Sequence, residues 1–211
     1  MEVVFSDSGK FRTVDQEIIG LYGDVSYLDK FIDTYGISYK DDWTVRRFLN
    51  GLHVRLNTRI EDIFNYIGLD KECLNDKICE LSHTTFKYVM LAYLIINNKR
   101  FIIFDHFDLG LSYKEQKKFI SIANKLREDG FYILVISNNY VFLSKCAKRI
   151  IAVYDNEEVF DGTVEELLKE RKLINSANII DFIESANKHK AKLRYTFDRN
   201  ELIKDIYRSV S

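Results

Sequence analysis

The middle of the chain alternates short apolar runs with longer segments of helical periodicity. Three continuous apolar runs occupy residues 101–104, 131–136 and 149–154. Between the first two, the apolar positions from Phe119 to Leu126 have the spacing of one helix face, and Gly130 is suited to end that helix. A shorter helical segment, 140–148, separates the second run from the third. Buried parallel strands have such runs and are joined by helices, so the pattern predicts a βαβ arrangement with a parallel sheet.

The flanking segments extend this pattern in both directions. The upstream predictions are strands at 11–19 and 23–28 and helices at 43–69 (broken near residue 57) and 85–97. The capping-box pattern Thr163-Val164-Glu165-Glu166 starts a helix downstream, and the tail predicts helix, strand, helix at 177–188, 192–197 and 201–209. We therefore divide the chain into an N-terminal β segment, a helical subdomain, an α/β core and a C-terminal extension, at residues 1–30, 31–85, 86–168 and 169–211.

Composition and charge narrow the functional classes. With 31 Lys and Arg against 32 Asp and Glu, the 211-residue chain has a net charge of -1, which argues against a strongly basic nucleic-acid binder. Cys73, Cys79 and Cys146 are too few and too scattered for a disulfide framework or a zinc site. The longest apolar run, 88–96, is far shorter than the roughly 20 residues that span a bilayer. We expect a cytoplasmic protein.

The first apolar run ends in a residue with a chemical role. Asp105 directly follows residues 101–104, and ligands of α/β sheets bind beyond the carboxyl ends of the strands. An apolar strand that ends in aspartate is the Walker B pattern, in which the carboxylate holds a Mg²⁺ ion bound to nucleotide phosphates. Alone the pattern has low specificity, because any strand can end in aspartate.

Several further motifs lie in a fixed order around Asp105. They are Glu80-Leu81-Ser82-His83-Thr84-Thr85 before it, and Phe107-Asp108-Leu109-Gly110-Leu111-Ser112, Ser137-Asn138-Asn139 and Asp161-Gly162-Thr163-Val164-Glu165-Glu166 after it. Two upstream strings, Val25-Ser26-Tyr27-Leu28-Asp29-Lys30 and Trp43-Thr44-Val45-Arg46-Arg47-Phe48-Leu49, complete the series. In this order and spacing, residues 8–168 resemble the ATPase domain of ABC-type transporters.

The resemblance implies a P-loop-NTPase-like α/β fold and assigns family positions to individual residues. It assigns the signature motif to Leu81, Ser82, His83 and Thr84, the Walker B carboxylate to Asp105, the catalytic-glutamate position to His106, the D-loop position to Ser112, the switch position to Asn138 and the Q-loop position to Lys30. Only Ser82 and Asp105 keep the family residue. The signature glycines, the catalytic carboxylate and the switch histidine are all replaced.

The P-loop, the motif that binds phosphate in this family, has no match in the sequence. No G-x-x-x-x-G-K-[ST] string occurs in the chain. Ser8-Gly9-Lys10 is followed by Phe11 where a hydroxyl is required, and it resembles the turn that follows the P-loop helix. We therefore expect a chain that starts downstream of the P-loop, with the first strand of the parallel sheet absent. The C-terminal extension would then cover the sheet edge that is left open.

These departures predict a non-catalytic pseudo-ATPase, an accessory or regulatory partner of an ABC ATPase subunit or of a membrane permease. We expect no catalytic residue, no metal and no cofactor, with ATP and Mg²⁺ bound only if a partner supplies the P-loop. The chain can form a dimer, does not bind nucleic acid, and meets its partner through residues 30–57, with attachment to the membrane through the permease. Residues 188–192 are predicted to be a solvated turn.

Two alternatives remain open. The chain can be a diverged ATP-binding subunit whose active hetero-complex takes the P-loop from the partner. It can also be an unrelated α/β protein that binds another ligand near Asp105, although a metal site formed by Asp105, His106 and Asp108 is disfavoured because their spacing provides no dedicated cage.

Overall fold

The computed structural model describes residues 2–4, 10–12, 17–23, 37–50, 60–97, 99–155, 157–170, 173, 177–196 and 199–210. The strands are β1 (Glu2–Val4), β2 (Lys10–Arg12), β3 (Ile18–Gly23), β4 (Phe101–Asp105), β5 (Tyr132–Ile136), β6 (Arg149–Tyr154) and β7 (Glu157–Thr163). The α-helices are α1 (Val45–Asn50), α2 (Ile60–Ile67), α3 (His83–Ile96), α4 (Tyr113–Glu128), α5 (Tyr140–Cys146), α6 (Val164–Leu167), α7 (Ala177–Lys188) and α8 (Arg199–Val210). Two short 3₁₀ helices, Lys71–Asn75 and Ile78–Glu80, precede α3.

A five-stranded sheet in the order β4-β5-β3-β6-β7 forms the centre of the fold. Its first four strands are parallel, and β7 runs antiparallel to β6. Strands β1 and β2 form a separate antiparallel pair. The predicted α/β class with a mostly parallel sheet is confirmed, while β7 was not among the predicted strands.

The centre of the sheet is filled by β3. Ile18–Gly23 pairs in parallel with β5 on one side and with β6 on the other. The expectation that the sheet lacks its first strand is therefore corrected, because the first strand of this sheet in chain order is its central one. The predicted strand at 11–19 is also corrected, since β2 and β3 belong to different sheets. The predicted strand at 23–28 lies outside the described residues apart from Gly23.

The sheet buries both faces, as its apolar runs predict. Alternate residues point to opposite faces, so Ile102 and Val135 join the large core on the helix side while Ile103 and Leu134 join a smaller cluster on the other side. Aromatic rings form the middle of the helix-side core, where the Phe119 ring lies 4.8 Å from that of Phe104. The core thus fixes α3, α4 and α5 against the strands that end at the candidate site.

The helices begin and end where local signals place them. Ser112 caps α4 in a capping box with Glu115, and Gly130 follows the helix with a φ of 83°. Thr163 caps α6 in the same way with Glu166. The helix predicted at 85–97 corresponds to α3. In the region of the helix predicted at 43–69, the structure describes α1 and α2, and residues 51–59 between them lie outside the described part of the chain.

The C-terminal extension consists of two helices without the predicted strand between them. Residues 191–196 form no strand, because their backbone groups bond to side chains instead: the Asn187 side chain accepts from Leu193 N (2.6 Å) and donates to Leu193 O (2.9 Å). Ile180 joins the helix-side core. The edges of the sheet are β4 and β7, so the proposed role of the extension as cover for a missing strand is also corrected. The division of the chain into four segments stays a prediction.

Within the described part of the chain, none of the helices combines the length and the apolar character that crossing a membrane requires.

Candidate functional site

The carboxyl ends of three parallel strands are joined at one edge of the sheet. His106 N, just beyond β4, donates to Ile136 O at the end of β5 (2.9 Å). Ser137 N, just beyond β5, donates to Leu21 O in β3 (3.0 Å). Because ligands of α/β folds bind at this edge, Asp105 lies in the place where the sequence predicts a site.

Asp105 forms a close pair with the residue that follows it. His106 Nδ1 lies 2.7 Å from Asp105 Oδ1, and the two side chains are 28% and 38% exposed, respectively. His106 has a φ of 44°, the left-handed conformation that is uncommon for residues other than glycine. The imidazole of His106 thus already contacts one oxygen of the Asp105 carboxylate. His106 stands at the position where the family resemblance implies a second carboxylate.

Lys87 holds the turn that follows Asp105. This lysine projects from α3, and its ammonium donates to the carbonyl oxygens of His106 (3.2 Å), Phe107 (2.9 Å) and Leu109 (2.7 Å). Burial lowers the pKa of Lys87, and the nearby carboxylates of Asp108 and Asp105 oppose that shift. Lys87 was not among the predicted site residues, although a lone charge in an otherwise apolar helix was the available signal.

The residues assigned to the signature motif form the N-terminus of α3. Ser82 Oγ accepts from Thr85 N (3.0 Å) and lies 2.8 Å from Thr85 Oγ1. His83 and Thr84 are the first residues of the helix, at the positions that the resemblance assigns to glycines. Leu81 lies just before the cap and is half-buried.

The positions assigned to the D-loop and the signature motif are adjacent. Ser112 caps α4, and its backbone N donates to Glu115 Oε2 (2.6 Å). Hydrogen bonds from Ser112, and a weaker contribution from Thr84, hold the pKa of Glu115 below its usual value. The shared contact with Glu115 therefore brings the N-termini of α3 and α4 together.

The switch position is exposed at the end of β5. Asn138 is exposed, and its neighbours make the structural contacts: Asn139 Oδ1 accepts from Phe142 N (3.1 Å) and Ser137 Oγ accepts from Asn139 N (3.0 Å). Lys30, the predicted Q-loop position, lies outside the described residues, so its role stays a prediction.

A buried carboxylate lies within the turn that Lys87 holds. Asp108 is 6% exposed, and its Oδ1 atom has no hydrogen-bond partner among the described residues. Burial raises the pKa of the Cys146 thiol, and the charge of Asp108 adds to that shift. Asp108 was predicted to belong to the loop string that ends at Ser112 and was disfavoured as a metal ligand, and its spacing in the sequence did not indicate that it is buried.

Among the residues that the structure describes, which leave out 24–36 after the central strand, the side chains at this edge do not form a set that fits Mg²⁺ with a nucleotide. Asp105 is paired with His106, the Lys87 ammonium is directed at backbone carbonyls, and His83 and Thr84 carry side chains at the positions that the resemblance assigns to glycines. Among the described residues, no group of three or more His, Cys, Asp or Glu side chains is placed to hold a metal ion.

Comparisons with known proteins show which proteins this chain resembles. No family model matches the chain. The energy-coupling factor transporter ATP-binding protein EcfA2 of Clostridium perfringens is 28% identical over 117 residues, which span 54% of this chain and 41% of that protein. The zinc import ATP-binding protein ZnuC of Ehrlichia chaffeensis is 23% identical over 181 residues, which span 80% of this chain and 74% of that protein. The chain spans less than half the length of the first of these relatives.

Solved structures show the same fold. The ATP-binding cassette MJ1267 of an ABC transporter, in its ADP conformation, matches with a TM-score of 0.63 and 12% identity over 79% of this chain and 89% of that one. A dimeric post-hydrolysis state of the ATP-binding cassette MJ0796 matches with a TM-score of 0.60 and 16% identity over 74% of this chain and 88% of that one. The fold is thus the P-loop-NTPase-like fold of ABC ATPase cassettes. The resemblance of this chain to the ATP-binding proteins of ABC transporters is confirmed.

Proposed function

We propose that this chain is a degenerate ABC-type ATP-binding subunit that acts as a non-catalytic pseudo-ATPase, an accessory or regulatory partner within an ABC transporter complex. Its partner is an ABC ATPase subunit or a membrane permease, and it works in the cytoplasm. We expect partner contacts within residues 30–57, of which the structure describes 37–50.

The Asp105–His106 pair is the observation that carries this proposal. Phosphoryl transfer depends on positioning and on electrostatic stabilisation of the phosphates. At the end of β4 a second carboxylate is replaced by an imidazole, which lies 2.7 Å from the carboxylate that remains. Loss of one preorganised catalytic group typically costs about 10²–10³ in rate, and here several positions depart from the pattern together.

The place of β3 supports the same proposal from a different part of the chain. In P-loop NTPases the phosphate loop follows a strand of the sheet, and Gly23 ends the central strand here. If Gly23 is taken as the first glycine of the pattern G-x-x-x-x-G-K-[ST], Leu28 stands in place of the second glycine. Asp29 then replaces the lysine, and Lys30 replaces the serine or threonine. We propose this register as an alternative to the Q-loop assignment of Lys30. In either register the phosphate-binding pattern is absent, and Asp29 would put a negative charge where phosphate needs a positive one.

A second candidate function is an active hetero-complex in which the partner supplies the P-loop. Ser82 favours it, because this serine keeps the family residue and caps the N-terminus of α3, and helix N-termini can bind phosphate. In this alternative the chain completes a nucleotide site that belongs mostly to the partner. The side chains of His83 and Thr84 argue against close approach of a phosphate.

Calorimetry of Mg-ATP binding tests both candidates. We expect no heat of binding with the purified chain alone. Tighter Mg-ATP binding in a mixture with an intact ABC ATPase subunit than with that subunit alone would favour the hetero-complex. Binding by this chain alone would overturn the pseudo-ATPase proposal.

A single substitution tests why hydrolysis is absent. We expect His106→Glu to leave phosphate release at background, because a restored carboxylate does not restore the phosphate loop. His189→Glu, the same change at an exposed histidine outside the site, is the matched control. Hydrolysis that appears only in His106→Glu would contradict the proposal.

A further inference from the structure

The turn that follows Asp105 is built around a single positive charge. The Lys87 ammonium donates to the carbonyl oxygens of His106, Phe107 and Leu109, at 3.2, 2.9 and 2.7 Å. An ammonium group has three N–H donors, so these three carbonyl oxygens use all of them. The centroid of the Phe107 ring also lies 5.3 Å from Lys87 Nζ, within the range of a cation–π contact.

The backbone of the turn brings these carbonyl oxygens together. Leu109 N donates to His106 O (3.1 Å) and Leu111 N donates to Asp108 O (3.1 Å), so two overlapping hydrogen bonds close the turn. His106 and Gly110 have a positive φ, 44° and 77°. Backbone carbonyl oxygens that converge on one point bind cations by replacing the water around them, as they do in the filters of potassium channels. The turn therefore has the geometry of a small cation site.

Two carboxylates add negative charge near the same point. Asp108 lies inside the turn and is 6% exposed, and its Oδ1 atom has no hydrogen-bond partner within the described part of the chain. Burial lowers the pKa of Lys87, and the charges of Asp108 and Asp105 act against that shift. Because a buried carboxylate is costly unless a positive charge is near, the Lys87 ammonium compensates Asp108 as well as the carbonyl dipoles.

The distances indicate which class of cation the turn accepts. Oxygen ligands lie about 2.0–2.1 Å from Mg²⁺ and about 2.3–2.6 Å from Ca²⁺, whereas the three carbonyl oxygens lie 2.7–3.2 Å from Lys87 Nζ. This is the spacing of N–H···O hydrogen bonds. A divalent ion at this point would require every carbonyl oxygen to move closer. The turn therefore favours ammonium groups and large monovalent cations.

We propose that residues 105–109 form a site for a monovalent cation and that the Lys87 ammonium is its permanent occupant. The tethered charge holds the turn between His106 and Ser112, the positions assigned to the catalytic glutamate and the D-loop, in one arrangement without a bound ion. Lys87 is thus a positioning residue. When its side chain is removed, the same site takes free methylammonium, ammonium or potassium. This inference rests on the contacts of Lys87 and not on the proposed function.

Chemical rescue of Lys87→Ala in the full chain tests the proposal. Loss of hydrogen bonds from a charged group should lower the folding equilibrium constant by at least about tenfold, which urea unfolding measures. Methylammonium chloride replaces the end of the missing side chain and should recover a large part of this loss. Ammonium and potassium chloride should recover a smaller part. Tetramethylammonium chloride at the same ionic strength, which has no N–H donor, should recover none, and neither should magnesium chloride.

The matched control is Lys118→Ala. Lys118 is also half-buried, and burial lowers its pKa, but its ammonium donates to a single carbonyl oxygen among the residues described, that of Gly68. We expect little recovery by methylammonium in this variant and no effect on the unaltered chain. Equal recovery in both variants, or recovery by tetramethylammonium, would show a general effect of salt or of cavity filling and would overturn the proposal. So would the absence of recovery in Lys87→Ala.

Nuclear magnetic resonance of the unaltered chain provides a second test, which holds even if Lys87→Ala does not fold. An ammonium group whose three protons are all hydrogen-bonded is protected from exchange with water. We expect the Lys87 ammonium signal to be visible at neutral pH and to couple to the carbonyl carbons of residues 106, 107 and 109. A Lys87 signal that exchanges as fast as that of the exposed Lys71 would overturn the proposal.

Discussion

At the scale of single residues, the polar groups behind the candidate site are not all paired. Tyr88 is buried, and its hydroxyl has no hydrogen-bond partner among the described residues. Burial raises the pKa of Tyr88 to about 12, with a smaller contribution from the charge of Glu115. A buried polar group without a partner costs about 1–3 kcal/mol, so Tyr88 is a position where the chain is less stable than its packing allows.

We therefore predict that Tyr88→Phe leaves the free energy of unfolding unchanged or raises it by up to about 1 kcal/mol. Tyr66→Phe is the matched control, because the Tyr66 hydroxyl donates to Asp129 Oδ2 (2.5 Å) and its removal should lower the free energy of unfolding by about 1 kcal/mol. Urea unfolding of both variants at neutral pH measures the difference. Equal losses in the two variants would show that the Tyr88 hydroxyl is paired after all.

Tyr88→Phe should also change how the free energy of unfolding depends on pH in alkaline solution. Because the folded pKa of Tyr88 is above the ordinary value of 10.0, the unfolded chain loses this proton first as the pH rises. Ionisation of Tyr88 therefore leaves the free energy of unfolding unchanged below pH 10 and lowers it between pH 10 and about 12, by no more than about 1.4 kcal/mol per pH unit. Tyr88→Phe should make this decline shallower, whereas an unchanged slope would assign it to other groups.

At the scale of elements, caps decide where the helices around the site begin. Ser82 and Ser112 each satisfy a backbone N–H at the start of a long helix. The resemblance assigns these two serines to the signature motif and to the D-loop position. In this chain the Ser82 hydroxyl bonds to Thr85, so its structural role is sufficient to explain why a serine is present.

We predict that Ser82→Ala lowers the free energy of unfolding by about 1 kcal/mol, within the range of 0.5–2 kcal/mol for loss of an N-cap. Ser121→Ala, at an exposed position inside α4, is the control and should be neutral or slightly stabilising, because alanine is the better helix former. Thermal or urea unfolding of both variants provides the measurement. A neutral Ser82→Ala would mean that the cap contributes nothing to stability.

The elements also show which parts of the fold the sequence predicts. The ends of α4 and the start of α6 follow from short strings around Ser112, Gly130 and Thr163, because capping is decided by neighbours in the chain. The place of β3 does not follow in this way, since its strand character is local but its central position depends on pairing with β5 and β6, more than 100 residues away along the chain.

At the candidate site, Asp105 was predictable from its strand. The Lys87 contacts were not, because they join residues about 20 positions apart.

At the scale of the whole molecule, the C-terminal extension is part of the core. Ile180, Ile183 and Leu193 are buried, and burial of each such side chain contributes about 1.5–3 kcal/mol. Tyr195 and Thr196 line a groove together with Leu168 and Ser144. The extension therefore packs against α5, which follows β5, and against the end of α6, which follows β7.

We accordingly predict that deletion of residues 176–211 causes aggregation or a large loss of stability, because it exposes the core surface around Leu168. Two neighbouring substitutions in α7 separate burial from other effects of the deletion. Ile183→Ala, at a fully buried position, should lower the free energy of unfolding by about 2–5 kcal/mol, while Phe182→Ala, at a position 49% exposed, should change it by less than about 0.5 kcal/mol. Size-exclusion chromatography and urea unfolding report both effects. A monomeric truncated chain that unfolds at the same urea concentration as the full one would show that the extension folds on the surface of a core that does not need it.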